Sequence, residues 1–412
     1  MNDAIVARAP SPAASALPRT YYLALTAAST TLWAMILGPV LTTIPSQLSA
    51  IAPGDHVTAL AVVTGVGGVV GILSNPLVGR ISDITRGRLG RRRPWLIAGL
   101  IVIVPAALGT GGATSVVELT LWWSFLQLGA NMLMAPLTAT IPDLVPPARR
   151  GLASACLGIS WAFAPVLGTA VHSLTGDADA TYPVLTVLIT AAYLLFILTL
   201  RGDRTQPAGI RPAARERRRR GDRDLTLAWL HRFLFALGQN VAISYLFFYL
   251  QDVIRYETLH PGRSTDDGVL ILTAIYAPCV VVAALVAGVL SDRAHRHKVY
   301  IVGATVVFAG GTLFGAFTAN WEGVLLLSAL TGIGFGAYEA VSMAMVIHLL
   351  PDEERRARDL SLVNVATLIA IAVGPTVAAS LIHQAGYLLM FVGAGGAVLA
   401  SGLVVTLIRG AR

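Results

Sequence analysis

The chain has a single lysine, Lys298, in 412 residues. A phosphate-binding P-loop needs Gly-Lys-Ser/Thr, and this lysine stands in HRHKVY, so nucleotide-driven work within the chain loses support. HExxH and GxSxG strings are also missing, which removes the standard hydrolase signatures. Charge is scarce: 30 Lys+Arg and 22 Asp+Glu make 13% of the residues, against about 25% in a soluble domain. Two cysteines, Cys156 and Cys279, both lie inside apolar runs and offer no disulfide framework. No small-residue cleavage signal closes the first apolar run. Residues 1–20 therefore read as a flexible tail before an uncleaved span.

What the chain has in excess is apolar surface. Hydrophobic residues make 55% of it and mean hydropathy is +0.70, outside the range of soluble and of disordered proteins. Runs at 21–45, 57–79, 94–113, 117–142, 151–174 and 181–200 are each long enough to cross a bilayer as a helix, and six more follow at 225–250, 267–290, 299–318, 323–349, 360–384 and 386–408. Between the two sets, 201–224 is polar, Pro-bearing and Arg-dense, and reads as a linker. The expected organisation is an amino tail (1–20), a six-helix bundle (21–200), the linker (201–224) and a second six-helix bundle with a short tail (225–412).

The net charge of +8 does not indicate nucleic acid, because the basic residues sit between apolar spans. With loops assigned alternately, 27 of the 30 basic residues fall on the side of the two termini. Arg232 lies just inside span seven on that side, and only Arg255 and Arg263 lie opposite. The positive-inside rule then makes the termini and linker cytoplasmic, in a cell membrane. Shifting the chain by 209 residues superposes Gly79, Ser82 and Asp83 on Gly288, Ser291 and Asp292, and Pro142, Asp143 and Arg149 on Pro351, Asp352 and Arg358. Two parallel six-helix repeats account for that register.

The run GRISDITRGRLGRRRP (79–94) resembles the loop signature of the major facilitator superfamily. Within it, NPLVGRISDITRGRLGRRRPW (75–95) is similar to the glycoside-pentoside-hexuronide symporters and the sucrose-type carriers, and GANMLMAPLTATIPDL (129–144) resembles the fourth span of the latter. The resemblance implies an all-α membrane protein of twelve helices. Asp83, at a helix end beside Arg91 and Arg92, reads with Gly79 as a breakable latch, repeated at Gly288, Asp292 and Arg293, with Arg149 and Arg358 as partners. For the arginines, plain anchoring to anionic headgroups is the alternative.

The chain also departs from those relatives. Carboxylates that the sodium-coupled sugar symporters carry on span two align with Gly71 and Asn75, and the acid and arginine of the sucrose carriers' span four align with Gln127 and Thr138. Neither ion machinery is reproduced, and no metal or cofactor is expected. The polar residues at membrane depth are Gln127 and Asn131, one turn apart, with Gln239, Asn240, Ser342 and Asn364, which can line a cavity between the halves or form interhelical hydrogen bonds. Tyr338 can stack on a sugar ring. Glu339 stands alone: a carboxylate near the bilayer centre costs about 2.5–3.5 kcal/mol on insertion scales. It is read as the proton-coupling residue, the alternative being a protonated structural acid. Gly332, Gly334 and Gly336 suggest close packing or a bend beside it.

The expected function is that of a secondary active transporter rather than an enzyme: a monomer in lipid that moves a small sugar-like or glycoside-like solute with protons by alternating access. Efflux of a drug or secondary metabolite is the alternative, and a non-transporting membrane sensor a third.

Overall fold

A computed structural model of the chain describes residues 17–85, 89–200, 223–294, 296–349 and 353–408, the side chains of 347–349, 353–362 and 364 excepted. Every regular element among them is helical. The first half comprises α1 (Arg19–Ile51), α2 (His56–Ile84), α3 (Arg93–Gly111), α4 (Val116–Leu144), α5 (Arg150–Thr175) and α6 (Ala178–Thr199). The second comprises α7 (Arg223–Ser244, continued after a 44° bend by Leu246–Ile254), α8 (Thr265–Ala294), α9 (His297–Thr318) and α10 (Trp321–Leu349). It closes with α11 and α12, the two arms of Glu353–Thr406. Those arms part at Ala385 and Gly386, where Gly386 takes φ 75°, a left-handed conformation that glycine adopts without steric cost.

Nine helices among the described residues are long and apolar enough to cross a membrane, ten with the bent α7. The 29 residues of α4 reach about 43 Å at 1.5 Å per residue. Counting α4 and both arms of Glu353–Thr406 gives twelve crossings. Chain direction alternates, so α1 starts, α6 ends, α7 starts and α12 ends on one side, the terminal face; the other side is the far face.

Both repeats open on an interrupted helix. Pro39 cannot donate to the carbonyl one turn back, and α1 widens into a π turn at Pro39–Thr43. The broken α7 has its own π turn at Leu250–Ile254, within two residues of the 209 offset. Small residues set helix spacing within each half. A Cβ on Gly38 would fall 2.6 Å from the Gly168 Cα, so α1 and α5 touch backbone to backbone. The three α10 glycines resolve as packing on two sides: Gly332 and Gly336 meet Tyr276 and Val280 of α8, and Gly334 meets Phe308 of α9.

Candidate functional site

The halves are joined at the far face and parted at the terminal face. Gly65 and Gly68 of α2 abut Thr376 and Ala372 of α11, but one turn on Gly71 meets only Asn131 and Gln127 of its own half, and Gly79 has nothing within 4 Å of a built Cβ. The α5–α8 pair behaves alike: Thr169 bonds Thr273 at 3.0 Å, while Gly151 and Gly158, toward the terminal face, have open space. Among the described residues, every hydrogen bond and ion pair between the halves lies on the far side. These are Ser49 to Gln251, Thr58 with His383, His56 with Asp252, Tyr245 to the Val57 carbonyl, Ser173 to Asp267, His172 with Asp266, and the Thr169–Thr273 bond.

Behind this seam lies a cavity of about 180 Å³ lined from both halves. Its wall is mainly apolar, with Trp123, Trp161, Tyr276 and Phe335 among the aromatic contributors, and no charged side chain among the described residues lines it. Gln127, Gln239 and Asn240 line it. Asn131 stands behind Gln127, donating to the Gln127 carbonyl at 2.9 Å and accepting from Asn75 at 2.8 Å. Asn75, Asn131 and Gln127 are thus joined by uncharged groups. Gln127 Oε1 is buried and makes no hydrogen bond among the described residues.

Tyr338 and Ser342 are buried outside the cavity wall. The Tyr338 ring stacks on Phe235 with centroids 3.4 Å apart and its hydroxyl meets His231, so in this conformation it serves helix packing rather than ring recognition. Of the other aromatics, Trp33 packs edge-on against Trp161 at 4.3 Å. The Asn364 side chain lies outside the described residues.

Glu339 is not a lone acid. Its Oε2 accepts from Arg232 Nη2 at 3.0 Å, Arg232 Nε donates to Thr367 Oγ1 at 3.2 Å, and the guanidinium lies 5.9 Å from the Tyr338 ring centre. Arg232, placed by the sequence just inside span seven on the side of the termini, has a side chain 9% exposed and turned into the bundle. Glu339 keeps 35% exposure. One turn separates Glu339 from Phe335 and Thr367 from Ile371, both in the cavity wall, so the pair sits one turn nearer the terminal face than the cavity.

At the terminal face Arg92 forms a clamp. Buried to 4% exposure, it bonds Asp143 through Nε at 2.9 Å and Nη2 at 2.8 Å, and Asp83 and Ser82 through Nη1 at 2.8 and 3.0 Å. Arg91 adds a 3.4 Å contact to Asp83. All these partners belong to the first half, so the clamp ties α2, α3 and α4 together, and none of these contacts among the described residues bridges the halves. Arg149 is exposed in the turn Pro147–Arg149 and forms no ion pair among the described residues. In the second half Asp292 and Arg293 are exposed and Gly288 is nearly free, while Ser291 Oγ meets His297 Nδ1 at 2.6 Å, as Ser82 meets Arg92. The side chains of Asp352 and Arg358 lie outside the described residues.

A cavity between two six-helix repeats, sealed at one face and parted at the other, is the geometry of a carrier. The chain belongs to the Major Facilitator Superfamily, whose family model matches residues 21–265 and 257–412. Among solved structures it is similar to a bacterial homologue of the human lysosomal transporter Spinster, in an inward-facing and occupied conformation, with a TM-score of 0.71 and 15% identity over 94% of each chain. The protein is therefore a multi-pass membrane transporter, working by alternating access on a small-molecule substrate.

Two features escaped the sequence reading. Arg232 was visible as a cation inside an apolar run, a signal that deserved more weight than its nearness to the terminal face. The histidines of the seam carried no such mark, since each lies at the end of a span where polar residues are ordinary.

Proposed function

We propose that the carrier moves a small uncharged solute with an apolar body and hydrogen-bonding groups, coupled to protons, a glycoside being the first candidate. The observation that carries this reading is the cavity wall, in which amides from both halves face an aromatic and aliphatic enclosure without a charged side chain. An ionic substrate would be desolvated there without a counter-charge. The likeness of residues 75–95 to the glycoside-pentoside-hexuronide loop supports the sugar part. Glu339 is the proposed proton site, because it is a carboxylate inside a span that keeps 35% exposure, and a proton on it would compete with its contact to Arg232. The termini and linker are proposed to face the cytoplasm, so the parted face is the inner one, the state named for the Spinster homologue.

The second reading is extrusion of a drug-like or secondary metabolite, favoured by the excess of apolar over polar wall. Proteoliposomes under an imposed pH gradient decide between them. Uptake of labelled glycosides against their gradient supports the first, and extrusion of apolar dyes with no glycoside movement supports the second. Movement of neither, in vesicles holding folded protein, overturns both.

A further inference from the structure

Three of the eight histidines of the chain, His56, His172 and His383, contact the opposite half, and all three do so at the far face. The positions of hydrogens on two of these rings follow from their neighbours. His56 Nδ1 lies 3.1 Å from the Pro53 carbonyl, which can only accept, so the ring hydrogen sits on Nδ1. His172 Nδ1 meets Thr181 Oγ1 at 2.8 Å. That hydroxyl gives its own hydrogen to the Asp177 carbonyl 2.5 Å away, and its remaining neighbour, Thr175, gives its hydrogen to the Val171 carbonyl. His172 Nδ1 is therefore the donor as well. In the neutral ring each Nε2 is then a bare lone pair.

Each of those nitrogens lies beside a carboxylate of the other half: Asp252 Oδ2 at 3.5 Å from His56, and Asp266 Oδ1 at 3.2 Å from His172. Both are contacts of proximity: neither Nε2, nor Asp266 Oδ1, makes a hydrogen bond among the described residues. Two acceptors so placed repel, and one added proton turns each contact into a charge-assisted attraction. Among the described residues no lysine or arginine forms an ion pair with Asp252 or Asp266. Asp267 is occupied by Ser173, Asp252 also accepts from Tyr387 at 2.6 Å, and Glu257 is bound to Thr265. Among the described residues Arg255 and Arg263 form no ion pair across the seam, and Asp55, Asp177 and Asp179 add only negative charge to this face.

We propose that the far-face seam is a proton-binding site, in which His56 beside Asp252 and His172 beside Asp266 each take up one proton to form an ion pair across the halves, and that these ion pairs keep the far face shut. A ligand bound more tightly by one conformation shifts the population toward it, so acid favours the closed seam and alkali its opening. Histidine is the side chain suited to such a switch within the physiological pH range. The inference rests on the rocking of the halves and is independent of the substrate and of the role given to Glu339.

The test uses full-length carrier in nanodiscs, with spin labels at Gly54→Cys and Thr258→Cys in a Cys156→Ala, Cys279→Ala background, and distances read by pulsed spin resonance. Between about pH 8 and about pH 5.5 the long-distance, far-face-open component should fall by about fivefold or more, the lower range of coupling factors. The His56→Gln, His172→Gln pair should flatten that dependence. Asp266→Asn should also reduce it, because the substitution removes the carboxylate that attracts the protonated His172 ring. Glu339→Gln should leave the dependence in place. Distances independent of pH in the parent, a dependence surviving the double histidine variant, or one abolished by Glu339→Gln would overturn the proposal. If the histidine pair does not fold, Asp266→Asn alone decides by whether it reduces the pH dependence.

Discussion

Replacing Arg92 with alanine should destabilise the first half far more than removing either carboxylate it binds. The guanidinium is 4% exposed, and three residues share it. Asp83 is 58% exposed, so its arm is screened by solvent and contributes about 0.5 kcal/mol. Asp143 is 24% exposed and takes two bonds on one oxygen. Ser82 is fully buried and loses a charged donor, a bond of about 1.5 kcal/mol or more. Breaking a buried pair costs about 3–5 kcal/mol, and because both carboxylates can rehydrate, the lower figure of about 3 kcal/mol is the expectation for Arg92→Ala. Asp143→Asn, which leaves the buried guanidinium with Asp83, an exposed partner, as its carboxylate, should cost about 2 kcal/mol, and Asp83→Asn less than about 1 kcal/mol. Reversible unfolding in mixed micelles titrated with SDS measures all three on one scale. Equal losses for Asp83→Asn and Arg92→Ala, or a loss below about 1 kcal/mol for Arg92→Ala, would refute the clamp as a structural unit.

Glu339→Gln should abolish accumulation driven by a pH gradient while sparing exchange of substrate down its own gradient, and continued accumulation in that variant would make the acid purely structural. Arg232→Ala should lower stability by about 3 kcal/mol by leaving a half-buried carboxylate unpaired, and adding Glu339→Ala should restore part of it; additive losses in that cycle would deny the pair. Gly336→Val should cost about 1–3 kcal/mol, since its Cβ would fall 2.2 Å from the Val280 carbonyl oxygen. Gly288→Ala meets only Ala340 at 4.0 Å and should stay within about 0.5 kcal/mol, so equal effects of the two would refute the packing reading of α10. A cysteine at position 215, in the linker outside the described residues, should react with impermeant reagent only from the cytoplasmic side, and labelling from outside alone would invert the topology.

The fold was legible because a membrane leaves few choices. Backbone groups in hydrocarbon must bond within their own segment, so apolar runs of span length become helices, and most of the expected boundaries fall within a few residues of the observed ones. Where they differ, local chemistry explains it: α2 continues to Ile84, its last turn held by the bonds of Ser82 and Asp83 to Arg92, and α1 continues through its π turn to Ile51. The glycines of α10 were legible as packing but not as to which neighbours they served. Side-chain partnerships were the least legible. Nothing in the spacing of Arg232 and Glu339, 107 residues apart, states that α7 and α10 bring them to 3.0 Å. Tyr338 was adjacent to the acid in sequence, yet adjacent residues on a helix point about 100° apart, and its ring turned toward Phe235.

The two ends of the molecule use different ionic chemistry for a reason that follows from what each must do. A buried arginine pair is expensive to separate and cannot be neutralised, because guanidinium keeps its proton at any physiological pH. Such a pair suits a contact that persists through the cycle, and Arg92 accordingly ties α2, α3 and α4 inside one rigid half. The contacts between halves have to part in every turn of alternating access. Among the described residues those at the far face are hydroxyl, amide and imidazole groups, with carboxylates opposite His56, His172 and the Ser173 hydroxyl and no arginine among them. Hydroxyls and amides exchange a protein partner for water at a net cost near 1 kcal/mol each. An imidazole–carboxylate contact can lose its attraction by losing one proton before the surfaces move. The division between persistent and separable chemistry therefore coincides with the division between bundle interior and bundle interface, which is the arrangement that lets two halves rock without either one loosening.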